Sequence, residues 1–227
     1  MENDKLQLNS GTIMKMMDFL YEKSLNGLPG TRSAKQLAED YLKNNTGISL
    51  VDKAWSLVHW QELKTGSTGF VTGLGGIIIL PVAVPADVSA TLYVNMRMVA
   101  SIAYMGGYDL DSDQTKSFVY ATVVGMSVAN IVKRFGISFG SKLGEKLVTK
   151  IPGAIIIEIN KLVGLRLLTK FGTKGLVNLV KVVPLLGGVV GGAVDVIGTR
   201  SVGYLAIQNF IKNPENENIL NEKAPAV

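Results

Sequence analysis

The side chains that most often perform catalysis are scarce in this sequence. Cysteine is absent and His59 is the single histidine. Thiolate nucleophiles, iron–sulfur clusters and cysteine-based zinc sites are therefore excluded, and a histidine-dependent triad would have to use His59. That residue lies between Val58 and Trp60, with no nucleophile motif such as G-x-S-x-G nearby. We expect a protein that is not an enzyme, with no catalytic residue, no metal site and no cofactor.

The glycine-rich run that follows residue 65 comes nearest to a phosphate-binding loop. Such a loop needs the pattern G-x-x-x-x-G-K-[ST], but residues 65–86 contain no lysine or arginine. The G-x-G-x-x-G dinucleotide pattern is also incomplete there. Close packing of helix backbones is the interpretation we favour, because three pairs of glycines have G-x-x-x-G spacing. These pairs are Gly69 with Gly73, Gly187 with Gly191, and Gly188 with Gly192.

Three alternating aspartates resemble the first ligands of a calcium loop. They are Asp109, Asp111 and Asp113, but Gln114 stands where the loop needs glycine and Tyr120 where it needs glutamate. We predict instead that Asp111 or Asp113 caps the helix that follows.

Four isolated charges stand in predicted helices that are otherwise apolar: Asp87, Arg97, Asp195 and Arg200. Burying an unpaired charge is costly, so such groups are usually paired. We predict that Arg97 or Arg200 pairs across helices with Asp195 or Asp87, in a structural rather than a functional role.

Basic residues are concentrated in the middle of the chain. The net charge is +5, and residues 131–182 contain ten basic and two acidic residues. Lys142, Lys146 and Lys150 recur every fourth residue beside apolar positions, and Lys174 and Lys181 continue the pattern. Amphipathic helices with a lysine face attract anionic lipid headgroups, although a solvated face on a core-packing helix is an open alternative. Nucleic acid is not expected as a partner, because arginines are few in this segment.

Apolar residues recur at three- and four-residue spacing, which predicts an all-α fold. Helices are expected at about 11–24, 34–44 (capped by Ser33), 49–64, 86–105, 114–135 and 184–212, with short helices between 136 and 175. In that segment the isoleucines 155–157 leave a short strand open as an alternative. We predict a single glycine-rich multi-helix bundle with long apolar central helices over residues 1–212, followed by a polar flexible tail at 213–227.

The composition is membrane-like, with 18% charged residues against about 25% in typical soluble domains. Residues 65–86 are long enough to span a bilayer, but two prolines and five glycines favour a buried or re-entrant helix. The first ten residues lack the features of a secretory signal, so we expect an intracellular protein.

Several of these features together resemble the bacterial EcsC family over about residues 30–212. They are the glycine-rich stretch leading through Pro85 to Asp87, the helix containing Arg97, the turn 107–109, and the run 183–192 followed by Tyr204, Ala206 and Phe210. The turn departs locally, since it reads Met105-Gly106-Gly107-Tyr108-Asp109, whereas the family pattern has tyrosine-glycine before the last pair. The resemblance implies a helical, membrane-associated bacterial protein and assigns no catalytic residue.

Three functional hypotheses follow. The first is a non-enzymatic protein that binds the anionic cytoplasmic face of the cell membrane peripherally, through its basic amphipathic helices. The second is a soluble helical module that binds a lipid, another apolar ligand or a partner protein, and a membrane protein partner is compatible with both. The third is a pore-forming or integral protein, with residues 65–86 and the last long helix in the bilayer.

Overall fold

The structure is a computed structural model, and it describes residues 9–44, 47–65, 86–134, 151–171 and 189–211. All regular secondary structure in these ranges is helical, which confirms the predicted all-α class for them. The eight described helices are α1 (Ser10–Asn26), α2 (Ala34–Asn44), α3 (Leu50–Thr65), α4 (Ala86–Met105), α5 (Asp113–Val123), α6 (Val128–Arg134), α7 (Gly153–Phe171) and α8 (Val189–Phe210). None of them is both long enough and apolar enough to cross a bilayer.

Side-chain caps fix the starts of α2 and α3. The hydroxyl of Ser33 accepts a hydrogen bond from the N–H of Gln36 at 3.2 Å, and the Gln36 side chain accepts one from the N–H of Ser33 at 3.0 Å. Ser49 similarly accepts from the N–H of Asp52 at 3.1 Å and donates to its carboxylate at 2.6 Å. Both caps satisfy N–H groups that have no partner within the helix. The predicted cap at Ser33 is confirmed.

The helix predicted at 114–135 is wrong, because the structure has two helices there. Gly125 has a φ of +79°, a left-handed conformation that ends α5. Its N–H donates to the Thr122 carbonyl at 2.9 Å, and the N–H of Met126 donates to the Ala121 carbonyl at 2.8 Å. The long uncharged stretch predicted one continuous helix and gave no sign that Gly125 ends it. Gly107 ends α4 in the same way, with a φ of +85°.

The cap of α5 also differs from the prediction. Ser112 accepts the N–H of Thr115 at 3.2 Å, in place of the expected Asp111 or Asp113. Asp109 instead shapes the preceding turn, where its carboxylate accepts the N–H of Asp111 at 3.0 Å. No group of metal-binding side chains occurs within the described ranges.

Helix α4 is the centre of the described fold and packs against α1, α2, α3, α5 and α8. Burial extends all round this helix from 92 to 103. A helix with apolar residues on every side is stable when other helices cover it completely. Arg97 therefore lies in the interior.

Helix α8 packs on α3 more extensively than any other pair of described helices. Gly203 permits this contact, because a Cβ atom there would lie 2.5 Å from Val58 Cγ2. Gly106 permits another, because a Cβ there would overlap the carbonyl oxygen of Phe210. These two close approaches were not among the predicted glycine pairs. Gly69, Gly73, Gly187 and Gly188 lie outside the described residues, as do the surroundings of Gly191 and Gly192 within α8.

Helix α7 is the part of the basic segment that the structure describes. It includes residues 155–157, so the strand alternative is wrong. Ile156, Ile159, Val163 and Leu167 form its buried side at three- and four-residue spacing. Helical periodicity therefore outweighs the β-propensity of three consecutive isoleucines.

Candidate functional site

Arg97 is the most deeply buried charged side chain among the described residues, at 2% exposure. Its Nη2 donates to Gln61 Oε1 on α3 at 3.2 Å, and its Nη1 donates to the Arg32 carbonyl at 3.4 Å. The guanidinium also lies 5.3 Å from the centroid of the Tyr93 ring. These neutral groups stabilise the positive charge of Arg97. No carboxylate within the described ranges forms an ion pair with it.

Two buried donors in this region have no acceptor among the described residues. One is Arg97 Nε and the other is the side-chain amide of Gln61, which is itself fully buried. Burial lowers the pKa of Arg97, against a smaller opposing effect of Tyr93. An arginine keeps its charge even so, because its ordinary pKa lies far above neutral pH. A permanent cation with an unused donor is thus present in the interior.

A cavity of about 370 Å³ adjoins Arg97. Helices α2, α3 and α4 and the loop before α2 supply its lining: Gly30, Thr31, Arg32, Leu37, Tyr41, Trp60, Lys64 and Arg97. Three of these side chains are cationic. The pKa of Lys64 is lowered by burial and then by the positive charges of Arg97 and Arg32. Arg32 forms an ion pair with Asp40.

Aromatic and aliphatic side chains complete the lining. Trp60 of α3 is 56% exposed, and Leu37 and Tyr41 of α2 line the cavity with it. The cavity therefore combines three cations with aromatic and aliphatic contact surface, which suits a ligand with an anionic group and an organic part.

A polar cluster between α3 and α8 lies close by along α3. Glu62 is buried there, with one carboxylate oxygen 3.6 Å from His59 Nδ1 and the other 4.0 Å from Arg200 Nε. Burial raises the pKa of Glu62, while Arg200 and His59 act in the opposite direction. Arg200 also lies 5.8 Å from the centre of the Trp55 ring. The cluster joins two helices, and among the described residues it contains no nucleophile hydrogen-bonded to His59.

The outward side of α7 is a second candidate surface, defined by Ile157, Lys161, Leu165 and Arg166. Ile157 and Leu165 are 57% and 54% exposed, and both basic side chains are exposed beside them. Residues 157, 161 and 165 are four positions apart, so they form one stripe along the helix. Glu158 accompanies them and forms an ion pair with Lys161.

The residues predicted to matter are only partly within the described structure. Arg97 is buried and Arg200 faces Glu62, but the side chains of Asp87 and Asp195 lie outside it, so their predicted ion pairs stay a prediction. The lysines predicted to contact a membrane all lie outside the described residues. They are Lys142, Lys146, Lys150, Lys174 and Lys181.

The other members of the Arg97 site were not predicted from the sequence. They are Gln61 and Lys64 on α3 and Arg32 in the loop before α2. One signal was available for Gln61: Ala54, Val58, Gln61 and Thr65 lie on one side of a helix, and all four are buried. A glutamine at a core position indicates a buried polar partner.

Comparisons with models of known protein families, with curated proteins and with solved structures find no match. The resemblance to the EcsC family therefore stays a prediction that rests on the sequence motifs alone.

Proposed function

We propose that this protein is a non-enzymatic, peripheral membrane protein that binds anionic lipid surfaces through its basic helices. The observation that carries the proposal is the outward side of α7, where Ile157 and Leu165 are exposed beside Lys161 and Arg166. Apolar side chains flanked by basic ones are typical of helices that lie in the headgroup region of a membrane.

The expected strength of this contact is modest. Full burial of an isoleucine or leucine side chain contributes about 1.5–3 kcal/mol, and these two are roughly half exposed, so about 1 kcal/mol each is still available. Each basic residue near an anionic surface adds about 1 kcal/mol. Glu158 opposes part of this attraction. The α7 surface alone would bind weakly, and we propose that the lysines at 142, 146, 150, 174 and 181 supply further attraction.

We also propose that the protein binds at the cytoplasmic face of the cell membrane. We further propose that it belongs to the EcsC family. The proposed full architecture is a glycine-rich bundle with long apolar central helices, to which the close approaches at Gly203 and Gly106 lend support. A membrane protein partner is compatible with this location.

Co-sedimentation with vesicles tests the proposal. The double variant Lys161→Glu with Arg166→Glu should bind phosphatidylglycerol vesicles at least about tenfold more weakly at low salt, because two attractions become repulsions. The matched control reverses two exposed lysines on α2, Lys35 and Lys43, and should change binding by less than about threefold. Equal losses in both double variants would show that net charge, rather than the α7 surface, governs binding.

A second variant separates the apolar contribution. Ile157→Ser with Leu165→Ser should weaken the binding that remains at high salt, since salt screens charges and leaves apolar contacts. Binding unchanged at every salt concentration would remove α7 from the contact.

The second candidate function is a soluble module that binds an apolar or amphiphilic ligand, and the cavity beside Arg97 favours it. Mass spectrometry of organic extracts from the purified protein separates the two, because co-purified lipid supports ligand binding and its absence supports surface binding alone.

A further inference from the structure

We propose that the cavity beside Arg97 is a binding site for a phosphate group, carried either by a soluble phosphate ester or by the headgroup of an anionic lipid. The site consists of Arg97, Lys64 and Arg32, with Gln61 beside it and Trp60 at its outer edge. It is separate from the α7 surface, so it goes beyond the proposed function.

Arg97 has hydrogen-bonding capacity that its described neighbours leave unused. Its side chain is 2% exposed, lines the cavity, and has an Nε donor with no acceptor among the described residues. The amide donor of Gln61 is in the same condition. Leaving a buried donor unsatisfied is unfavourable, more so when the group is charged, and an oxyanion supplies several acceptors at once.

Positive charge is concentrated around the cavity. Arg32, Lys64 and Arg97 line it, and Arg32 forms an ion pair with the carboxylate of Asp40. The pKa of Lys64 is lowered by burial and then by the positive charges of Arg97 and Arg32. An anion in the cavity would interact favourably with these cations. A phosphate suits it better than a carboxylate because it offers more oxygens and up to two negative charges to several donors.

The volume and the apolar lining of the cavity suit a phosphate ester. A volume of about 370 Å³ falls within the range of roughly 300–1,000 Å³ that small-molecule sites occupy, and it exceeds what a bare ion needs. Trp60, Leu37 and Tyr41 provide apolar contact for the organic part of a phosphate ester. Tryptophan is also enriched at the level of lipid headgroups, so a lipid could reach the cavity from a membrane surface.

Calorimetric titration of the full-length chain with inorganic phosphate and with glycerol 3-phosphate tests the site. Ionic strength is held constant with acetate as the comparison anion, which removes general screening. We expect saturable binding of phosphate with a Kd of about 1 mM or below, and tighter binding of the ester. Absence of saturable phosphate binding, or acetate binding of equal strength, would overturn the proposal.

Variants assign the binding to this cavity. Arg97→Gln should weaken phosphate binding at least about tenfold, because a charged hydrogen bond is lost. Lys64→Gln, at a less buried position, should weaken it severalfold and serves if Arg97→Gln fails to fold. Arg134→Gln makes the same arginine change at an exposed position outside the lining and should leave the Kd unchanged. Equal affinity in all three variants would contradict the site.

Vesicles distinguish the two sources of phosphate. Phosphatidylglycerol with brominated chains should quench Trp60 if the ligand is a lipid, and the quenching should disappear in Arg97→Gln and in Trp60→Phe. If vesicles leave Trp60 unquenched while glycerol 3-phosphate binds, the ligand is soluble. Either result supports a phosphate site. Vesicle binding that requires Lys161 and Arg166 but occurs without any phosphate binding would refute this site and leave the proposed function standing.

Discussion

Replacing Gly203 by alanine tests the close approach of α8 to Val58 on α3. The new Cβ would lie 2.5 Å and 2.6 Å from the two γ carbons of Val58 and 3.1 Å from its Cβ. Carbon atoms prefer separations of about 3.5–4.0 Å, so the overlap is roughly 1 Å. Rotating Val58 gives little relief, because a valine in a helix strongly prefers one rotamer. The helices must separate or deform.

The expected cost follows from two opposing effects. Overpacking a core costs about 1–3 kcal/mol, whereas alanine improves helix propensity over glycine by about 1 kcal/mol. The net loss in the free energy of unfolding should be about 0–2 kcal/mol, which corresponds to a fall in Tm of up to roughly 8 °C for a chain of this size. Urea denaturation followed by circular dichroism measures it.

Two controls make this prediction refutable. Gly198→Ala, on the same helix, places a Cβ where no described heavy atom lies within 4 Å, so it should stabilise the protein by about 0.5–1 kcal/mol. Val58→Ala should offset Gly203→Ala in a double-mutant cycle, with a coupling of about 1–2 kcal/mol. If Gly203→Ala stabilises as much as Gly198→Ala, or shows no coupling to Val58, the packing described for these helices is wrong.

Burial raises the pKa of Glu62, so the wild-type protein should lose stability as pH rises from about 4.5 through the folded-state pKa. Glu62→Gln should remove that loss, so the Tm of the variant should exceed that of the wild type by more at about pH 8 than at about pH 4. An equal difference in Tm at both pH values would refute the prediction. Asn209→Leu should lower the free energy of unfolding, measured by urea denaturation, by about 2–3 kcal/mol. The reason is that the Asn209 side chain accepts a hydrogen bond from the N–H of Val128 at 3.1 Å and donates one to Thr122 Oγ1 at 2.8 Å. An unchanged free energy of unfolding would contradict these buried hydrogen bonds. Gly107→Ala should lower the free energy of unfolding by about 1–2 kcal/mol, because Gly107 has a φ of +85°. The control Gly153→Ala, at an exposed glycine without a positive φ, should not lower it.

Local signals predicted much of the described fold. The limits of α2 and α4 agree with the expected 34–44 and 86–105, because a serine cap and glycine stops are encoded in a few adjacent residues. The break at Gly125 was missed, since one glycine within an apolar stretch does not by itself distinguish a stop from a tolerated helix position. Burial on every side of α4 has no local sequence signal, because it depends on the arrangement of five neighbouring helices.

The candidate site was less predictable. The isolation of Arg97 in an apolar helix identified it as a residue that needs a partner, and that reasoning looked for carboxylates. Its partners in the structure are a neutral amide on α3 and a backbone carbonyl before α2. Backbone acceptors have no sequence signature, and the convergence of Arg32, Lys64 and Arg97 arises from contacts between segments far apart in the chain.

Partitioning of the unmodified full-length chain onto vesicles, measured as a function of salt, tests the central proposal most directly. We predict binding to phosphatidylglycerol vesicles that falls steeply as sodium chloride increases, and little binding to phosphatidylcholine vesicles at any salt concentration. Absence of binding to anionic vesicles at low salt, or equal binding to both lipids, would contradict a peripheral membrane protein that recognises anionic surfaces.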